Sequence, residues 1–123
     1  MNAGLNRTLS LELDEASGDR VVTGWTVDER HLQPYGIVHG GVYCSAVESS
    51  ASIGAALWYG ERGRVVGVSN QTDFLRSARD GRMTATATPI HRGRSQQLWL
   101  VEIHDADVRL VARGQVRLQN LAD

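Results

Sequence analysis

A chain of 123 residues, 41% hydrophobic and 22% charged, has room for one core, so a single domain spanning residues 1–123 is expected. That ordinary composition excludes disordered and fibrous classes, and a formal net charge of −1 offers no electrostatic footprint for nucleic acid or an anionic membrane. The single cysteine, Cys44, has no partner for an internal disulfide, which favours a reducing, cytoplasmic setting.

The first ten residues, MNAGLNRTLS, lack the apolar run of a secretory signal. Leu9, Leu11 and Leu13 then alternate with polar residues, as in a half-buried strand, and Val21, Thr23, Trp25 and Val27 alternate again after a turn cluster at residues 15–19. An opening hairpin is expected. Residues 28–38, DERHLQPYGIV, place a proline close to a glycine and predict a turn or short helical turn.

From Gly40 to Gly60 the chain carries one charged residue, Glu48, among small and apolar residues. Such a run would form a helix of about 30 Å, and with so little polar face it is expected to be covered on most sides. Glu48 and four serines argue against a membrane span. A lone carboxylate in such a helix is costly unless something pairs with it or uses it, so Glu48 is the first candidate for chemistry. Gly60 is the expected helix stop.

Beyond the helix, residues 65–75 read as a strand, and Asp80-Gly81 is a turn signal of the kind that joins antiparallel strands. Thr84, Thr86 and Thr88 alternate with small apolar residues up to Pro89. A turn at Arg92-Gly93-Arg94 leads to the strand Leu98–Ile103, and Asp105-Ala106-Asp107 leads to a last strand with Val108, Leu110, Ala112, Val116 and Leu118 on one face. The expected order is two strands, one long helix and four hairpin-linked strands, an α+β antiparallel sheet wrapped round the helix.

That order resembles the hotdog fold over about residues 8–119. Gln33-Pro34-Tyr35-Gly36-Ile37-Val38-His39-Gly40-Gly41, followed by Glu48, resembles the active-site pattern of hotdog acyl-coenzyme A thioesterases, in particular the Glu-type 4-hydroxybenzoyl-CoA and phenylacetate-pathway branch. The motif match covers residues 31–52 and, more weakly, His91 to Ser95. The resemblance implies hydrolysis of an acyl- or aroyl-CoA to the free acid and CoA, without a cofactor. It implies Glu48 as nucleophile or general base, the Gly40 N–H on the thioester oxygen, Gln33 at the thioester region and Ser52 holding the attacking water. Ser52 stands where that branch usually carries Thr. The resemblance also implies a homodimer or homotetramer with the site shared between subunits.

The residues support parts of this independently. A helix N-terminus offers free N–H groups and partial positive charge to an oxyanion, and glycines at 40 and 41 allow close approach. Glu48 and Ser52 share a helix face at i, i+4. Glu48 lies two turns beyond Gly40, a separation that favours a site completed by a second chain. His39 and Gly41 belong to the expected substrate-binding loop, His39 by hydrogen bonding within it. All thirteen basic residues are Arg; Arg92 and Arg94 are the first candidates for CoA phosphates, with Arg62, Arg64, Arg76 and Arg79 behind them. His31, His39, His91 and His104 lack metal-ligand spacing, so no metal site is expected. Two other readings are a hotdog dehydratase or hydratase using His31 with Glu48, and a non-catalytic acyl-CoA-binding module.

Overall fold

The computed structural model describes residues Met1–Asp123. Six strands form one antiparallel sheet: β1 (Glu12–Ala16), β2 (Val21–Thr26), β3 (Gly63–Phe74), β4 (Arg82–Arg92), β5 (Gln96–His104) and β6 (Leu110–Ala122), in the spatial order β1-β2-β4-β5-β6-β3. A five-residue helix α1 (Gly4–Thr8) precedes the sheet, and the long helix α2 (Gly40–Tyr59) packs against β2 to β6. A short helical turn at Glu29–His31 introduces the loop leading into α2. No helix is long and apolar enough to cross a membrane.

The core lies between α2 and the sheet. Val42, Ala46, Val47, Ala51 and Ala55 of α2 meet Trp25, Met83, Trp99, Val101, Ile103, Val116 and Leu118, all buried. Gly54 lets the helix approach most closely, because a Cβ there would stand 2.5 Å from the Trp99 ring. Gln97 carries the polar part of this contact. It donates to Ala55 O at 3.2 Å and Asn120 Oδ1 at 2.9 Å, and accepts from Trp99 Nε1 at 2.8 Å. Paired in this way, a buried amide avoids most of the desolvation cost of an unmet group. The helix ends at Gly60, whose φ of 62° a side chain would resist.

Four expectations change. The leucine alternation at 9, 11 and 13 does not mark the first strand: Leu9 closes α1, Leu11 is buried ahead of the strand, and Leu13 is exposed in a β1 with no buried residue. The last four strands are not one run of hairpins. β3 pairs with β6 at the far edge, so the segment through Asp80-Gly81 crosses over the sheet instead of turning tightly into β4. Val108 sits outside β6 with φ 61° and is exposed, while the buried face of β6 runs Ala112, Gly114, Val116, Leu118 and Asn120. Finally, α2 is not covered on most sides. Gly41 is exposed and Cys44, Ser45, Glu48, Ser49 and Ser52 are only half-buried, leaving one open stripe with Glu48 at its middle.

Candidate active site

The site is assembled from the start of α2, the loop before it and the edge strand β3. The loop is fixed by backbone bonds. Gln33 N–H donates to Ile37 O and Gly36 N–H to Gln33 O, each at 2.9 Å, and Val38 N–H reaches Ala78 O in the crossover at 2.8 Å. Gln33 Oε1 accepts from Tyr35 N–H, and Arg79 Nη1 donates to Tyr35 O and Gly36 O at 3.3 Å.

His31 holds this loop from beneath. It is fully buried, its Nδ1 accepts Asp28 N–H at 3.0 Å, its Nε2 donates to Leu9 O at 2.7 Å, and its carbonyl accepts His39 N–H at 2.8 Å. Asp28 Oδ1 lies 3.5 Å from the same Nδ1, but a nitrogen already accepting an N–H has no proton to share with a carboxylate. Both ring nitrogens are therefore committed, and His31 is unable to serve as the base of a dehydratase.

His39 is the N-cap of α2. Its Nδ1 accepts Gly41 N–H at 2.8 Å, and its carbonyl accepts Val42 N–H at 2.9 Å. Gly40 N–H makes no hydrogen bond within the chain. It is the unspent donor of the helix start, where the backbone dipoles favour negative charge. Gly40 borders a cavity of about 320 Å³ together with Gln33, Tyr43, Phe74 and Arg76. A Cβ at Gly40 would stand 2.5 Å from the Phe74 ring, so glycine lets that ring close over the helix start. Burial, with a smaller contribution from the Asp105 charge, pushes the Tyr43 hydroxyl up to about 12, so it stays protonated throughout the neutral range.

Glu48 stands in a second cavity of about 310 Å³, bordered by Asn6, Cys44, Ser45, Ser49 and Asn70 among others. Eight residues of α-helix separate it from Gly40, about 12 Å along the axis. Its Oε1 accepts from Asn70 Nδ2 at 3.2 Å. The same Nδ2 donates to Cys44 O at 3.1 Å, and Thr72 Oγ1 donates to Asn70 Oδ1 at 2.7 Å, fixing which way the amide faces. A Cβ on Gly67 would lie 2.1 Å from Glu48 Oε2, so β3 presses its bare backbone against the carboxylate at the irregularity between Gly67 and Ser69.

The structure thus brings Gln33, His39, Gly40 and Gly41 together at one end and places Glu48 two turns away. Ser52 follows Glu48 by one turn, half-buried and with no side-chain hydrogen bond in the chain, but does not border the Glu48 cavity; Ser45 and Ser49 do. Arg92 is already engaged, donating to Gly18 O at 2.7 Å and Asp19 Oδ1 at 2.8 Å with its guanidinium 5.4 Å from the Trp58 ring. Arg94 lies exposed in the following turn. Among the arginines named from the sequence, Arg76 alone borders the Gly40 cavity. Sequence reasoning missed Asn70, Asn6 and Tyr43 as neighbours of these groups; Asn70 stands beside Gln71 in a polar stretch of β3 and gave no signal of its own.

Comparison with known proteins decides the family: residues 35–112 match the thioesterase superfamily. The chain belongs to that superfamily. The match spans the end of the loop from Tyr35, α2, β3 to β5 and the first residues of β6, and the sheet round one long helix is the hotdog arrangement of solved thioesterases. The chain is 53% identical over 116 residues to the Rv1847 protein of Mycobacterium tuberculosis, covering 92% of this chain and 83% of that one. It is 33% identical over 108 residues to the 1,4-dihydroxy-2-naphthoyl-CoA hydrolase of Escherichia coli, covering 88% and 79%. The crystal structure of S. sahachiroi AziG matches with TM-score 0.96 at 52% identity over the whole of both chains. Thioesterase HI1161 of Haemophilus influenzae matches with TM-score 0.91 at 32% identity, over 95% of this chain and 82% of that one. The chain is accordingly an enzyme of the thioester hydrolase class.

Proposed function

We propose that the protein hydrolyses the thioester of an acyl- or aroyl-CoA, and that each working site is formed between two copies of the chain. The observation that carries this reading is the division of the chemistry along α2. The free Gly40 N–H and Gln33 share one cavity, while the Glu48 carboxylate occupies another. At about 12 Å along one helix the two groups are too far apart to act on one carbonyl, whereas two chains packed across the open stripe of α2 supply one half each.

In this reading Gly40 N–H and the helix dipole stabilise the oxyanion formed at the thioester oxygen, and Gln33 positions the thioester. Glu48 of the other copy either attacks the carbonyl carbon itself, giving an anhydride that water then hydrolyses to the free acid, or takes a proton from the water that attacks that carbon. The CoA sulfur leaves as thiolate and is protonated to the thiol. Arg76 is placed to meet an anionic part of the substrate, while Arg92 would first have to release Asp19. The acid moiety of the Escherichia coli relative's substrate makes aromatic acyl groups the first to try.

Thiol release from a panel of CoA thioesters tests this. Glu48→Ala is expected to lower kcat about 10² to 10⁴-fold, the range for a lost general base. Unchanged turnover contradicts the assignment.

A further inference from the structure

The Glu48 cavity has a wall that comes from the beginning of the chain. Ala3, Leu5 and Asn6 border it opposite the open stripe of α2. That segment is tied down at three points: Ser49 Oγ donates to Asn6 Oδ1 at 2.7 Å, Leu11 N–H to Asn6 O at 3.0 Å, and His31 Nε2 to Leu9 O at 2.7 Å. Its position is therefore set by the buried histidine under the Gln33 loop and by the helix that carries Glu48.

Asn6 is the polar member of this wall. Ser49 occupies one half of its side-chain amide, and the other half, on a half-buried residue, makes no hydrogen bond in the chain. The space beside it is an open recess of about 310 Å³, within the roughly 300–1,000 Å³ found for ligand pockets, with room for a ring or short chain. Glu48 borders the same space, so in the proposed reaction an acyl group held at Glu48 would lie near this wall.

We propose that Asn6 is a specificity-determining residue: its free amide half recognises a hydrogen-bonding substituent, such as a ring hydroxyl, on a compact acyl group. This rests on the hydrolase reading above. A hydroxyl both donates and accepts, so it suits the free half whichever way round the amide stands. A site built to hydrogen-bond a substrate group discriminates against the analogue lacking it, because the unmet polar group is left in the bound complex.

The test compares kcat/KM for benzoyl-CoA and its 2-, 3- and 4-hydroxy forms in the wild-type protein and in Asn6→Leu, with melting temperature recorded for each. The wild-type protein is expected to prefer one hydroxylated isomer by about tenfold or more, as one hydrogen bond worth about 1.4 kcal/mol provides. Asn6→Leu should bring that ratio near one, with the larger loss of kcat/KM falling on the preferred hydroxylated substrate. Ser49→Ala, which removes the tether but not the amide, should lower the same ratio. A ratio unchanged in both variants, or equal losses for all four substrates in a normally melting Asn6→Leu, overturns the role of Asn6. A wild-type protein that hydrolyses none of these or any other CoA thioester overturns the hydrolase reading itself, a different result from turnover without preference.

Discussion

Asn70 and Gly67 hold the Glu48 carboxylate from one side of the edge strand, one by a hydrogen bond and the other by having no side chain. In the proposed reaction this makes Asn70 a positioning residue for Glu48. Replacing it with Leu should lower kcat about tenfold to a hundredfold with KM little changed, as expected when a reacting group loses its aim without loss of substrate binding. Thr72→Val, which leaves the amide free to turn, should give a smaller loss of the same kind. Steady-state kinetics separates these outcomes from a rise in KM, which would place Asn70 in binding instead. At this scale Glu48 stood out in the sequence as the one charge in a run of small and apolar residues. Asn70 did not, since its contact with Glu48 depends on where a strand distant in sequence is laid against the helix.

Among the elements, α2 was readable end to end, from the glycine pair at its start to the positive φ of Gly60 at its stop. Its open stripe was not, because an apolar and small-residue sequence looks the same whether the covering surface comes from its own chain or another. The crossover between β3 and β4 escaped for a related reason: a local turn signal at Asp80-Gly81 does not say which strands it separates. The contact of α2 with the sheet leads to a stability prediction. Gly54→Ala inserts a methyl against the buried Trp99 ring and should cost about 1–3 kcal/mol in denaturant unfolding. The β5–β6 turn adds a pH dependence. The Arg109 backbone N–H, followed by its guanidinium, holds the Asp105 carboxyl below the usual carboxylate range. A depressed folded-state value means this contribution is complete above the unfolded value of about 4 and is lost as pH falls below it. Asp105→Asn should therefore lower stability at neutral pH and remove part of the steepening in acid, measured by unfolding midpoints across pH 2 to about 7.

At the scale of the molecule, the sheet ends in a twelve-residue strand, β3, whose outer edge has no partner in the chain and which exposes Val66 and Val68. A long edge with apolar side chains is a surface for pairing with another chain. This strand also carries Asn70 and Gly67, so covering it and completing the site are expected to happen together. Val68→Lys should yield smaller particles in sedimentation and a parallel loss of thiol release; full activity in a monomeric variant would separate the two. The sheet-and-helix layout was legible because alternation and a single long small-residue helix leave few arrangements. The neighbours of Glu48 were less so, because Asn6 and Asn70 lie far from it in the sequence and meet it only in the folded chain.

The division of the site between two copies is tested most directly by complementation. Glu48→Ala and Gln33→Ala, each weakly active alone, are unfolded together and refolded as a mixture. With random pairing, half the dimers are mixed and each has one intact site, so activity should return to about a quarter of the wild-type value. A mixture no more active than the mean of the two variants would mean that one chain supplies both halves, contradicting the shared site.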